Sequence, residues 1–193
     1  MLVTATTGLR RAELCALRRQ RDVDWDRGVL TIAWSILDVP GRRFEEIPTK
    51  NRRVRRIAVD EQTMTVLREQ VEMMEARARS VEWSLVPDAY LFSESVDGSV
   101  PWSPGTVTQY FGRLRARVGL EHLSFHDLRK FMETYGQSLG FSPVQVAMRA
   151  GHDPSIAAKH YTGSVEETDR ALGRALAALL QPAGRDRADS SVA

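Results

Sequence analysis

Apolar residues three and four apart divide most of the chain into helices. The clearest run is Met64, Leu67, Val71, Met74 and Ala78, preceded by Asp60 in an N-cap position, which predicts a helix through about Ser80. Ser103-Pro104 opens a second, with Val107, Tyr110, Phe111, Leu114 and Val118 on its apolar side and Gly119 at its end. Thr106, Thr108, Gln109, Arg113 and Arg117 fall on the opposite side. A third begins at Ser124 and is expected to bury Leu128, Phe131, Met132, Tyr135 and Leu139. Ser142-Pro143 and Asp153-Pro154 each look like a cap followed by proline in the first helical position. Val165 to Leu180 is amphipathic through Ala171, Leu172, Ala175, Leu176 and Leu179. Near the front, Thr6 to Arg19 reads as one short helix entered through Gly8, with Leu14 and Leu17 inward.

Between Val29 and Val59 the period changes. VLTIAW, RRFEEIP and RVRRIAV alternate and are separated by turn residues, Pro40-Gly41 among them, so three antiparallel strands joined by two hairpin turns are expected. Lys50 falls in or beside the second turn. The fold class that follows is α+β, mostly helical with a small three-stranded antiparallel sheet. A length of 193 residues with 42% hydrophobic content fits one domain with its own core. The polar segment after Pro182 is expected to be a disordered tail, 182–193.

Charge adds a direction to this picture. The net charge is only +2, but Arg42, Arg43, Lys50, Arg52, Arg53, Arg55 and Arg56 crowd the strand region against Glu45 and Glu46, whereas Asp60 to Asp88 is acidic on balance. A basic hairpin beside an acidic helix is consistent with one face turned to phosphates. No long apolar run marks a membrane span and the first residues lack the order of a signal peptide, so a cytoplasmic protein is expected. Cys15, the single cysteine, falls among apolar positions and reads as a small core residue.

The chemistry-bearing residues come in one order. Arg10 and Glu13 lie in TGLRRAEL, Lys50 in PTKN, His126 and Arg129 three apart in SFHDLRK, His152 after Gly151, and Tyr161 nine residues later. Residues three apart on a helix are neighbours, so His126 and Arg129 would converge on one small anion. A tyrosine hydroxyl forms covalent intermediates, and arginine forks suit phosphate oxygens. No acidic cluster offers the ligands for two-metal chemistry, and no cofactor is expected.

In this order the motifs resemble the tyrosine recombinases, the family of phage integrases and Xer-type recombinases, over nearly the whole chain. The resemblance implies that Tyr161 is the nucleophile, Arg10 and Arg129 clamp the scissile phosphate, His126 assists proton transfer, His152 hydrogen-bonds the phosphate and Lys50 protonates the leaving hydroxyl. It implies that Glu13 holds basic groups in place. The remaining hairpin arginines, Arg42, Arg43, Arg52, Arg53, Arg55 and Arg56, are expected on DNA backbone or water. Lys130 stands where relatives commonly have another histidine, while His122 and His160 match no required position. The implied activity is site-specific cutting and rejoining of double-stranded DNA through a 3′-phosphotyrosine, by protomers assembled as a dimer to tetramer. Residues 1–181 would be the catalytic domain, without its first helices and the core-binding domain that precede it in relatives. Weak, salt-sensitive DNA binding is expected. A type IB topoisomerase and a non-enzymatic DNA-binding remnant are the competing readings.

Overall fold

The computed structural model describes residues 1–38, 44–49, 52–152 and 165–180, with the side chains of 165–168 excepted. Its elements run α1 (Leu2–Thr7), α2 (Arg11–Ala16), β1 (Val23–Asp24), β2 (Val29–Ile32), β3 (Trp34–Leu37), β4 (Glu45–Pro48), β5 (Arg55–Ala58), α3 (Glu61–Arg79), α4 (Pro104–Arg117), α5 (Phe125–Ser138), α6 (Pro143–Ala150) and α7 (Val165–Leu179). The class is α+β, as the periodicities indicate.

The single helix expected over Thr6 to Arg19 is two. Gly8 closes α1 in the left-handed conformation at φ 69° and Arg10 is the extended N-cap of α2. A side chain at Gly8 would strike Met132 Cε, its ideal Cβ lying 2.2 Å away, so position 8 combines a backbone that disfavours L side chains with a close packing contact.

The sheet also differs from two successive hairpins. β2 and β3 flank Ala33 as one nearly continuous strand. β3 pairs with β4 from Trp34↔Pro48 to Leu37↔Glu45, while β2 pairs with β5 from Ile32↔Arg55 to Val29↔Ala58. The third strand therefore joins the far half of the first strand rather than β4. Thr49 and residues 52–54 lie outside the two ladders, with the Thr49 N–H still donating to the Ala33 carbonyl at 2.9 Å. β1, unforeseen in the sequence because it is only two residues long, adds a third strand beyond β2.

Caps fall where the sequence places them. Asp60 accepts from the Thr63 N–H and Ser103 from the Thr106 N–H, both at 2.9 Å. At α5 the Asp127 carboxylate takes the Ser124 N–H at 2.7 Å. The main core joins Leu9, Leu14, Leu17, Leu30, Ile57 and Leu67, packing α1, α2 and α3 against the sheet. A second cluster, Met132, Val146, Ala150, Leu172 and Leu176, joins α5, α6 and α7. Each of the Leu, Ile, Val and Met side chains among them contributes about 1.5–3 kcal/mol by leaving water.

Two helices bury less than their patterns imply. On α4 only Val107 and Phe111 are buried, and Tyr110, Leu114 and Val118 are exposed. On α5 the buried positions are Phe125, Arg129, Met132 and Gly136, with Leu128 and Phe131 half-buried and Tyr135 and Leu139 exposed. The inward stripe of α5 is narrower than its apolar arc, and it contains an arginine. On α7, Leu172, Leu176 and Ala177 are buried and Leu179 is exposed.

One buried side chain ties distant segments together. Arg149 on α6 donates from Nε to the Thr6 carbonyl at 2.8 Å and from Nη1 to the Ala58 and Asp169 carbonyls at 3.0 and 2.9 Å, and pairs with the Asp169 carboxylate. The Ala58 N–H donates to the other oxygen of that carboxylate. Burial outweighs Arg149 in setting the Asp169 carboxyl, which is held above its ordinary pKa.

Candidate active site

Where the first turns of α2, α4 and α5 meet, a cleft of 540 Å³ opens, lined by Arg10, Arg11, Thr108, Ser124, His126 and Arg129 among others. Each side chain arrives there for a local reason. Arg10 is the residue released by the Gly8 break, with its side chain 38% exposed. Because the Ser124 cap fixes the start of α5, His126 and Arg129 fall on adjacent turns of one face, with His126 exposed and Arg129 only 2% exposed.

Arg129 is held from behind. Nη1 donates to the Gly8 carbonyl at 2.6 Å and to the Ala150 carbonyl, placing a cation at the C-terminal ends of both α1 and α6, where helix dipoles favour one. Nε lies 3.1 Å from Glu133, and Nη2 lies 3.1 Å from His152 Nε2. Burial, followed by the nearby Arg10 charge, lowers its pKa to about 10, which leaves it charged at neutral pH. His152 Nε2 is also 2.8 Å from Glu133. That nitrogen donates to Glu133 when it carries the proton and accepts from Arg129 when it does not, so proton position and partner choice are one event.

Beneath Arg10 sits a buried carboxylate, Glu13, with its side chain 1% exposed. It accepts from Arg10 Nη1 and from the Arg10 N–H, both at 2.8 Å, and from Arg55 Nη2 and Nη1 at 2.7 and 3.1 Å. Burial alone would push this carboxyl up, but Arg55 and then Arg10 hold it below the usual glutamate value. Arg55 also donates from Nε to the Arg149 carbonyl at 3.2 Å, and it packs against Gly151, which has φ 72°. One chain of contacts therefore runs from the cleft through Arg10, Glu13 and Arg55 to the end of α6, where His152 follows.

The sequence-predicted residues divide into groups. Arg10, His126 and Arg129 share the cleft, His152 adjoins Arg129, and Glu13 lies directly below. Arg52, Arg53 and Arg56 are exposed. Arg55, expected with them at the surface, is turned inward with its side chain 12% exposed, because the alternation of β5 points it at Glu13. Lys50, Tyr161, Arg42 and Arg43 lie outside the described residues, as does the helix expected after Asp153. Three participants escaped the sequence reading. Glu133 stands four residues after Arg129, a helical spacing that was there to be read. Arg149 and Asp169 had no such signal, because their pairing depends on the tertiary approach of α6 and α7. Among the described residues, no group of three or more acidic, histidine or cysteine side chains could hold a metal ion, and no helix is long and apolar enough to cross a membrane.

Among solved structures, the chain resembles the Tn1549 transposon integrase in complex with transposon right end DNA. That match has 21% identity over 91% of this chain and 57% of the other, with a TM-score of 0.66. The same integrase in complex with a circular intermediate DNA matches at 20% identity, again over 91% and 57%, with a TM-score of 0.63. XerA recombinase matches at 19% identity over 93% of this chain and 56% of the other, with a TM-score of 0.55. At these identities the likeness establishes the fold, and the chain spans just over half the length of these structures. No curated protein matches the chain. The sequence profile of the phage integrase family matches residues 1–167, which include Arg10, the HxxR pair, His152 and Tyr161, and the chain belongs to that family.

Proposed function

We propose that the protein is a site-specific DNA recombinase of the integrase type, acting through a 3′-phosphotyrosine. The observation that carries this reading is the convergence of Arg10, His126 and Arg129 on one cleft, with His152 bonded to Arg129. Solved relatives of this fold are integrases in complex with DNA. In the proposed reaction the Tyr161 hydroxyl attacks the scissile phosphorus and the 5′ oxygen leaves. His126 assists removal of the tyrosine proton, and Lys50 donates one to the leaving oxygen. Arg10 and Arg129 stabilise charge on the non-bridging oxygens, a role in which each donor typically contributes about 3–4 kcal/mol. His152, which adjoins Arg129, hydrogen-bonds the phosphate. The phosphotyrosine keeps the energy of the broken bond, so attack by another strand's 5′ hydroxyl reseals DNA without ATP. Glu13 positions Arg10, and Arg52, Arg53 and Arg56 contact backbone phosphates. Protomers assemble on double-stranded DNA as a dimer or larger.

The test is a suicide-substrate trap. Nicked duplex DNA incubated with the protein in the presence of a chelator should give a covalent adduct on a denaturing gel, and the Tyr161→Phe variant should give none. If the folded parent binds DNA but forms no adduct, the recombinase reading fails and a non-enzymatic DNA-binding protein takes its place.

A further inference from the structure

Arg11 follows Arg10 in the chain and lines the same cleft, yet its surroundings differ in kind. Arg10 and Arg129 each face a carboxylate, Glu13 at 2.8 Å and Glu133 at 3.1 Å. Arg11 makes no ion pair with any carboxylate among the described residues, and its guanidinium instead donates from Nη1 to the Thr108 hydroxyl on α4. That hydroxyl is itself oriented, because it donates to the Pro104 carbonyl at 3.0 Å and so turns its lone pairs towards Arg11. The result is an exposed but pre-positioned guanidinium at the cleft wall, with a neutral anchor and an uncompensated charge. A surface arginine with no other task would be expected to float or to pair with a nearby acid.

We infer that Arg11, steadied by Thr108, binds a backbone phosphate adjacent to the one clamped by Arg10 and Arg129. This rests on the reading that the cleft receives DNA. Because the Thr108 bond occupies Nη1, the remaining edge of the fork is available to two phosphate oxygens, and the ordering that such a contact normally requires has already been met by the α4 anchor. The same bond links α4 to the site, so the exposed polar face of that helix is registered against the phosphate backbone.

The measurement is binding of the full chain to a fluorescein-labelled duplex of arbitrary sequence between about 50 and 300 mM salt, where each phosphate neutralised contributes about −0.9 to the slope of log K against log salt. Arg11→Gln keeps an amide donor for Thr108 and removes the charge; its slope should be shallower by about 0.9 and its affinity about tenfold weaker at the low-salt end. Arg11→Lys should keep the slope with a smaller loss of affinity. Thr108→Val should also keep the slope and lose several-fold in affinity, since the cation remains and only its steadying is gone. Arg79→Ala, at the far end of α3, controls for net charge and should leave the slope in place. The inference is overturned if Arg11→Gln keeps the parent's slope, if Arg79→Ala reproduces its effect, or if the parent does not bind duplex DNA at all. Binding with this pattern but no covalent adduct would leave Arg11 assigned and remove the recombinase reading alone.

Discussion

Replacing Glu13 by glutamine is the most direct probe of how the site is held. The carboxylate is 1% exposed and receives two bonds from Arg55, at 2.7 and 3.1 Å, and two from Arg10, at 2.8 Å each. Removing one partner from a buried ion pair costs about 3–5 kcal/mol, because the other charge is left in a poor solvent. Glutamine keeps the shape and one acceptor oxygen, which puts the expected loss near the lower end, about 3 kcal/mol. In a domain of this size each kcal/mol moves Tm by about 2–4 °C, so Glu13→Gln should melt about 6–12 °C below the parent at pH 7. The pH dependence has a fixed sign. A carboxyl held below its ordinary value binds protons more weakly folded than unfolded, so its contribution is present above the unfolded value of about 4.3 and is lost as pH falls through the lower folded value. Melting curves followed by circular dichroism should therefore show a constant gap between parent and variant down to about pH 4.5, narrowing only below it. A variant that melts within about 2 °C of the parent at pH 7, or a gap that persists undiminished through acid unfolding, would refute the view that this charge holds Arg10 and Arg55.

Two further outcomes follow from the same neighbourhood. Gly151→Ala forces a side chain onto φ 72° and brings its Cβ within 2.7 Å of Arg55 Nη1, too close without a shift of that guanidinium. Urea unfolding should show a loss of about 1–2 kcal/mol from the backbone alone, and the effect should be non-additive with Glu13→Gln because both act through Arg55. A loss under about 0.5 kcal/mol, or strict additivity, would count against that route. For Cys15, burial pushes the thiol up to about 12, so the folded chain should not react with an aromatic disulfide reagent at pH 8, and labelling should track unfolding. Stoichiometric labelling of the native protein within seconds would contradict the buried placement.

The parts of the fold that were legible in the sequence are those set by local chemistry. Asp60, Ser103, Ser124 and Ser142 mark four helix starts because a cap needs only its own next turn, and the structure begins α3, α4, α5 and α6 one residue after each. The break at Gly8 was missed because a glycine at a helix entry and one at a helix exit look alike until the packing of Met132 is known. The pairing of β5 with β2 was missed for a related reason. Alternation assigns strands but not partners, and which half of the long first strand β4 and β5 each join is a property of the paired strands together. At the site, the order of motifs groups Arg10, His126, Arg129 and His152, and the structure brings the first three to one cleft with His152 beside Arg129. It did not distinguish Arg55 from Arg56, although one faces Glu13 and the other is exposed. Only the strand's orientation in the fold decides that, just as only the meeting of α6 with α7 reveals the pairing of Arg149 with Asp169.

That last pair bears on when the molecule can become whole during its synthesis. Thr6 lends Arg149 a carbonyl, but the guanidinium has its carboxylate only once Asp169 exists, 163 residues after Thr6 in the chain. At about 5–20 residues per second the ribosome needs about 8–33 s to span that interval. Arg149 itself is made only 20 residues before Asp169, so for the last part of that interval, about 1–4 s, the early helices and β5 have been made while a cation meant for their junction has no counter-charge, and Leu172 and Leu176 have yet to cover Met132 and Val146. Closure is therefore a late and collective event, dominated by contacts of high sequence separation. A nascent chain halted before α7 would leave its unfinished second core open to chaperones and proteases.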